Sequence, residues 1–548
     1  MLGAVAALAL CGAAGPGPPA APKLGELIYR EGQLAPGQPL IGEREGALSL
    51  EGSAAACANC HRRSGLGTVE GRIVIPPITG RYLFRPGERV APEADSPHGG
   101  ATPPDRSAYD NATLARAIRE GAGADGRPLD YLMPRFRLDD AAMQSLIAHL
   151  RQLSSGRVPG VIGDVLHFGT VITPDADPAA RAGMLNVLEQ YFESKNAFYR
   201  GDNAPPLQRA RRIHFRVQRR WQLHVWQLSG PPETWEAQLA GHLRTEPVYA
   251  VISGLGGATW APVHRFCERA AIPCLLPNVD LPVVAEGDFY PVYFSRGVLL
   301  EAQLIAARLA AIAPGATPPG AAPPGAVPRR IVQVFRENDV GAAAAAALHD
   351  ALAAEKRNVV SRPLKRGVSA HELARSLANT GEGDAIVLWL RAADLAELPP
   401  PAARVAAVYV SGLMGGLENA PLPAAWRATA RMTYPYELPD LRRVRMNYPL
   451  GWFRIRNIPV VAERVQTDTY IACSVVAETL SSMLDDFVRD YLVERVEVML
   501  SSRIINGYFP RLGLAPGQRF ASKGGYLVHF TEAQGTKVSP DSDWIVPE

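Results

Sequence analysis

Cys57, Cys60 and His61 stand together in the run Cys57-Ala58-Asn59-Cys60-His61, and that order of side chains supports a specific chemistry. Two cysteines spaced by two residues can each form a thioether to one haem vinyl group. The histidine that follows then falls directly under the iron as a ligand. A thioredoxin-like redox pair needs a βαβ setting, and a zinc site needs a second pair of ligands. Neither stands nearby in the chain. The expected cofactor is one covalently bound haem c, attached through Cys57 and Cys60 and ligated by His61.

A six-coordinate iron needs a second ligand, and Tyr131-Leu132-Met133-Pro134-Arg135-Phe136 supplies Met133. Behind it, residues 138–153 carry apolar side chains at helical spacing after an Asp pair suited to a helix N-terminus. Met143 is a rival ligand inside that helix, where methionine more often packs a core. His98 and His149 are further alternatives, the first in a Pro/Gly-rich loop and the second on the exposed face expected for the helix. With these elements, residues 23–153 resemble a class I c-type cytochrome: an N-terminal helix over 24–30, the attachment motif, a proline loop, a Met-Pro ligand loop and a closing helix. The resemblance implies an all-α mono-haem domain. It also implies that Ile75-Pro76-Pro77-Ile78-Thr79-Gly80 is the loop whose backbone carbonyl accepts the other ring N–H of the haem histidine. The stretch between Arg81 and Tyr109 is longer than a minimal cytochrome requires.

At 548 residues the chain is expected to hold about three compact units. A net charge of +3 with 20% charged residues argues for neither nucleic acid nor a polybasic membrane surface. Residues 1–14 form an apolar run followed by Gly15-Pro16-Gly17-Pro18-Pro19, so residues 1–21 read as a signal peptide, although no positively charged start precedes the run. The run is too short to span a bilayer. Export to the periplasm agrees with covalent haem. Cys11 offers a lipid anchor as an alternative, with Leu10 where a small residue is usual. Cys267 and Cys274 could form a disulfide in an oxidising compartment if a helix end and the next strand bring them close enough. Cys473 reads as a small buried apolar residue.

After a linker at 154–161, apolar strands alternate with amphipathic helices. Strands are expected at 165–171, 213–217, 248–253, 273–276, 331–335, 385–390 and 405–410. Val248-Tyr249-Ala250-Val251-Ile252-Ser253-Gly254-Leu255-Gly256-Gly257-Ala258-Thr259, a helix, and then Ala271-Ile272-Pro273-Cys274-Leu275-Leu276-Pro277-Asn278-Val279-Asp280 resemble the leucine/isoleucine/valine-type periplasmic binding proteins of ABC transporters. The resemblance extends over residues 162–548 by order of elements. It implies a two-lobed periplasmic-binding-protein type I fold of doubly wound parallel sheets, with a Pro/Gly/Ala-rich low-complexity loop at 313–328. It places a small-molecule ligand between the lobes near Thr259, Asn278 and Asp280. The glycine run lacks the third glycine of a dinucleotide fingerprint, so its N–H groups and Thr259 are expected to face the cleft instead. Asp280, if it points inward, repels a carboxylate and disfavours a simple aliphatic amino acid; otherwise it caps a turn.

There is no G-x-S-x-G, no H-E-x-x-H and no second C-x-x-C-H, so an enzyme is not expected. His/Met ligation serves electron transfer. The leading expectation is an exported electron-transfer protein whose redox partner is a dehydrogenase, an oxidase or another cytochrome, with the second domain docking a partner or sensing a ligand. The alternative is a solute receptor of an ABC-type uptake system, or a sensor, with an attached haem.

Overall fold

The structure is a computed structural model and describes residues 24–547 apart from 36, 45, 47, 71–72, 88–105, 200–218, 312–327, 354, 366–369, 402–404, 484–485, 503–504 and 506. The signal-peptide reading, Cys11, His98, the strand expected at 213–217 and nearly all of the loop at 313–328 lie outside the described residues. The chain divides into two compact units, Met1–Gly156 and Arg157–Glu548. Arg157 onward therefore belongs with the second unit, and Val161–Ile162 already pairs with its first long strand.

In the first unit, helix Leu24–Glu31 buries Gly25, Ile28 and Tyr29, one stripe at spacings of three and four. Helix Asp140–Gln152 buries Ala142, Met143, Leu146, Ile147 and Leu150, and Asp139 caps it by accepting from the Ala142 N–H at 2.7 Å. The two helices cross at Gly25. A Cβ there would lie 2.1 Å from the Ser145 carbonyl oxygen, so the backbones approach as only glycine allows. A third helix, Asn111–Glu120, starts with a capping box between Asp110 and Thr113 and completes the frame around one apolar core. The all-α expectation needs correction. Three small antiparallel sheets also form, because the long loops pair short segments of backbone; one of them sets Arg135–Phe136 against Ile41–Arg44.

The second unit is built on two sheets. The first has six strands, in the order Arg220–Gln227, Val165–Ile172, Ala250–Ile252, Cys274–Leu275 and Pro291–Val292, all parallel, with Val161–Ile162 antiparallel at the side. The second has seven, in the order Val359–Leu364, Arg330–Arg336, Asp384–Trp389, Ala407–Val410, Ala430–Tyr434, Tyr526–Phe530 and Val538–Pro540. Its last two strands run antiparallel to their neighbours, so the doubly wound expectation of parallel sheets holds only for the strands before them. The reversal follows from the chain path: after Tyr434 the chain passes through helices Pro439–Ile455, Glu463–Ser482 and Arg489–Ser502 before returning to the sheet. Helix Glu463–Ser482 packs on helix Pro178–Tyr199 and on strand Ala250–Ile252, so this excursion returns to the first sheet. Strand Asp384–Trp389 is buried at every residue, as a central parallel strand covered on both faces must be.

Cys267, in helix Ala261–Arg269, is disulfide-bonded to Cys274 in the next strand, with Cα atoms 6.2 Å apart. That separation lies inside the usual range. Ala271, at φ 49°, turns the chain back sharply enough to bring the two together.

Substituting Gly25→Ala drives a methyl group into the Ser145 carbonyl. The expected loss is about 1–3 kcal/mol of first-unit stability, read from denaturant unfolding of the full chain followed by haem absorbance.

Candidate haem site and polar cavity

Cys57 precedes the single turn of helix Ala58–His61, whose closing bond runs from the His61 N–H to the Cys57 carbonyl at 2.9 Å. This turn presents both thiols and the imidazole from five consecutive residues. Neither Cys57 nor Cys60 is in a disulfide. His61 is buried, and its Nδ1 lies 3.1 Å from the Pro76 carbonyl oxygen. A carbonyl can only accept, so Nδ1 carries the proton and Nε2 is left with its lone pair for a metal. Burial also lowers the His61 pKa, with the Pro76 bond partly offsetting it, which favours the neutral imidazole that ligates. The proline loop thus does what the cytochrome resemblance implied.

Met133 is partly buried and packs on the same apolar core as Cys57, Ala58 and Ile78. Its loop is held from within: Met133 N–H donates to the Asp130 carbonyl at 3.1 Å, Leu132 N–H donates to the Asp130 carboxylate at 2.9 Å, and Arg135 reaches the Met133 carbonyl. Met143 is 2% exposed among the closing helix's core residues. His149 is not on an exposed face; its ring sits 5.3 Å from that of Tyr29, because the helix crossing at Gly25 covers it. Two thiols outside any disulfide and an oriented imidazole on one turn, with Cys57 and the Met133 thioether packed on one apolar core, fit a c-type haem. Among the described residues, no group of three or more His, Cys, Asp or Glu could hold a bare metal ion.

In the second unit, Asn278 lies behind strand Cys274–Leu275 and lines a small polar cavity, with Ser295, Tyr436, Arg464, Asp468 and Phe509 among its neighbours there. The cavity measures about 20 Å³, room for about one water. Asn278 Nδ2 donates to Ser253 Oγ at 3.1 Å and to Thr469 Oγ1 at 3.3 Å. Asn278 Oδ1 and Asp468 Oδ1 are both buried with no hydrogen-bond partner among the described residues. Burial pushes the Asp468 carboxyl up to about 7, and the Arg464 guanidinium 3.9 Å away offsets this only in part.

Thr259 and Asp280 are not among the residues lining the cavity. Asp280 bonds Arg391 at 2.8 Å and Arg464 at 3.4 Å, and Arg391 in turn grips Asp339 with two bonds of 2.8 and 2.9 Å. The charge expected to repel a carboxylate is therefore already paired with two guanidiniums. The glycine run is also occupied. Gly257 N–H donates to Thr173 Oγ1 at 3.1 Å and Ala258 N–H to the Asp175 carboxylate at 2.7 Å, while Thr259 Oγ1 accepts from the Ala261 N–H at 3.3 Å. A Cβ on Gly257 would sit 2.3 Å from an Asp175 oxygen, so glycine is needed for this internal carboxylate to fill the loop.

The sequence reading missed Arg464, Asp468, Arg391 and Asp339. One signal was present: Gln466-Thr467-Asp468-Thr469 is a polar run in a helix, and all four residues are 1% exposed or less. Glu301 was missed as well. It is fully buried, accepts from the Leu413 N–H at 2.9 Å, from Thr433 Oγ1 at 2.7 Å and from the Ser411 hydroxyl, and burial raises its carboxyl to about 7 despite them.

Residues 52–154 match the family model Cytochrome c, so this stretch is a cytochrome c domain. Among solved structures, the chain is similar to a fatty acid ABC transporter substrate-binding protein from Thermomonospora curvata, at 13% identity and TM-score 0.48, covering 72% of this chain and 95% of that one. It is similar too to a solute-binding protein of an ABC transporter from R. palustris in complex with benzoate, at 13% identity and TM-score 0.48 over 70% of this chain and 98% of that one. A branched chain amino acid ABC transporter protein from Thermus thermophilus with bound valine shares 10% identity at TM-score 0.48, over 70% and 96%. No curated protein matches the chain in sequence.

Two outcomes are expected. In the oxidised holoprotein the near-infrared thioether-to-iron band vanishes in Met133→Ala and persists in Met143→Ala; the reverse would put the ligand on the closing helix. The Asp468 pKa is raised on folding, so its protonated form favours the fold, and that stability is lost as pH rises from about 4 through about 7. The neutral isostere Asp468→Asn removes this loss, and its stability relative to the parent rises by roughly 2–3 kcal/mol between pH 5 and pH 8 in urea titrations.

Proposed function

We propose that the chain is an exported mono-haem c-type cytochrome acting in periplasmic electron transfer, with no catalytic reaction of its own. The observation that carries this reading is His61, buried and oriented by the Pro76 carbonyl beside two unpaired thiols. Cys57 and Cys60 would hold haem c, and His61 and Met133 would ligate it; the bound group supplies one-electron redox chemistry. The chain's own part is to fix the imidazole tautomer through Pro76, to keep the Met133 loop in place through Asp130, and to shield the site with the core that includes Phe136 and Leu150. A periplasmic dehydrogenase, oxidase or second cytochrome is the proposed partner. No helix among the described residues is long and apolar enough to cross a membrane.

A second reading is a solute receptor or ligand sensor, in which the halves of the second unit act as two lobes around the polar cavity. Two acceptors without a partner among the described residues, Asn278 Oδ1 and Asp468 Oδ1, support it, although the cavity beside them holds about one water here and would have to widen for a larger ligand. The ligand class this favours presents N–H donors. Aliphatic amino acids are no longer disfavoured through Asp280, whose charge Arg391 and Arg464 meet.

With His61 and Met133 both ligating, a bound haem iron would have no open position. Carbon monoxide is expected to bind the reduced holoprotein slowly or not at all, while a second cytochrome oxidises it rapidly in stopped flow; fast carbon monoxide binding would sink the reading. For the receptor, alkylamines and amino acids are expected to raise the melting temperature of the parent and not of Asp468→Asn. An unmoved melting temperature across that panel leaves the second unit as a docking scaffold.

A further inference from the structure

Helix Pro439–Ile455 buries Arg442, Met446, Pro449 and Phe453 against the fold. Its other face is apolar as well. Leu441, Val444, Tyr448 and Ile455 follow one another at spacings of three, four and seven residues, which places them on a single stripe. They are 59%, 68%, 67% and 78% exposed, and Val460 and Val461 prolong the apolar surface just beyond the helix at 48% and 52%. A helix with two apolar faces has one too many for a single core.

Apart from Asp440 at the start of the helix, the charges beside the stripe are basic. Arg443, Arg454 and Arg456 are exposed next to it and Arg445 lies on its other flank, against Asp440 at the helix start and Glu463 beyond Val461. Arg445 is engaged with Glu437 and the Pro510 carbonyl, and Arg456 with Ser194. A net charge of only +3 for the whole chain conceals this local cluster.

We propose that this face docks on a bilayer containing anionic phospholipid, with Leu441, Val444, Tyr448 and Ile455 entering the interfacial region and the exposed Arg443 and Arg454 meeting lipid phosphates. Three features favour that occupant. The stripe is a row of four large apolar side chains more than half exposed on one helix face, which a deformable interface receives without a matching groove. Its branched aliphatic residues, tyrosine and flanking arginines are the side chains that partition to the interface, with guanidiniums extending towards headgroups. A second copy of the chain would bring arginine flanks against arginine flanks, and like charges across an interface repel.

The test is flotation of the full chain with vesicles of phosphatidylcholine containing about one-third phosphatidylglycerol, beside vesicles of phosphatidylcholine alone. The parent is expected to float with the anionic vesicles, and about fivefold less with the neutral ones or at high salt. The double variant Val444→Asp/Ile455→Asp alters two exposed positions and is expected to keep the parent's melting temperature while losing flotation. Equal flotation of parent and double variant overturns the proposal and assigns the binding to another segment. Absence of flotation overturns it too, and so does sedimentation showing a dimer that the double variant abolishes, or capture of an acidic protein without vesicle binding.

Discussion

The hydrogen bond from His61 Nδ1 to the Pro76 carbonyl is the interaction on which the first unit's chemistry depends. It selects the tautomer, aims Nε2, and ties the attachment turn to a loop fifteen residues later. The remaining parts of the unit keep those two segments in register. Ile78 N–H donates to Gly65 at 2.8 Å, Tyr29 hydroxyl donates to the Arg62 carbonyl at 2.7 Å, and the helix crossing at Gly25 carries Tyr29 to that position. A donor set that must receive a planar group without rearranging has to be held from outside itself, and here backbone carbonyls do most of the holding.

The second unit is governed by how it pairs its half-buried and buried charges. Asp280, Arg391 and Asp339 form a chain of ion pairs that Arg464 extends, joining residues from both sheet systems. Removing one member would leave its neighbour charged and only partly solvated, a cost that adds to the loss of the pair. Glu301 follows a different course: three donors surround it, yet full burial still favours the protonated carboxyl near neutrality. Asp468 has only a distant guanidinium and an oxygen with no partner. The contrast marks the cavity at Asn278 and Asp468 as one place where the unit leaves polar demand unmet, as it also does at Thr170 and Thr479 among the described residues.

The attachment motif, the proline loop, the Met133 loop and the alternation of strands with helices were all legible in the chain, because each is local. A covalent two-thiol attachment requires its spacing within a few residues, and a strand or helix writes its period into the residues that form it. The strand expected at 331–335 occupies Arg330–Arg336, and the closing helix expected at 138–153 occupies Asp140–Gln152, since apolar periodicity marks both. The antiparallel end of the second sheet was not legible, because strand direction depends on where the chain has travelled in between.

What the sequence determined by itself was the cofactor chemistry and the classes of element. Tertiary structure alone decided which charges are free. Asp280 finds Arg391 across 111 residues and Arg464 across 184, so its neutralisation cannot be read from its neighbours in the chain. The same holds for the glycine run before Thr259, whose amide groups are taken by Thr173 and Asp175 more than eighty residues upstream. Spacing encodes geometry only within an element; between elements, burial and distance settle which polar groups are satisfied and which remain available.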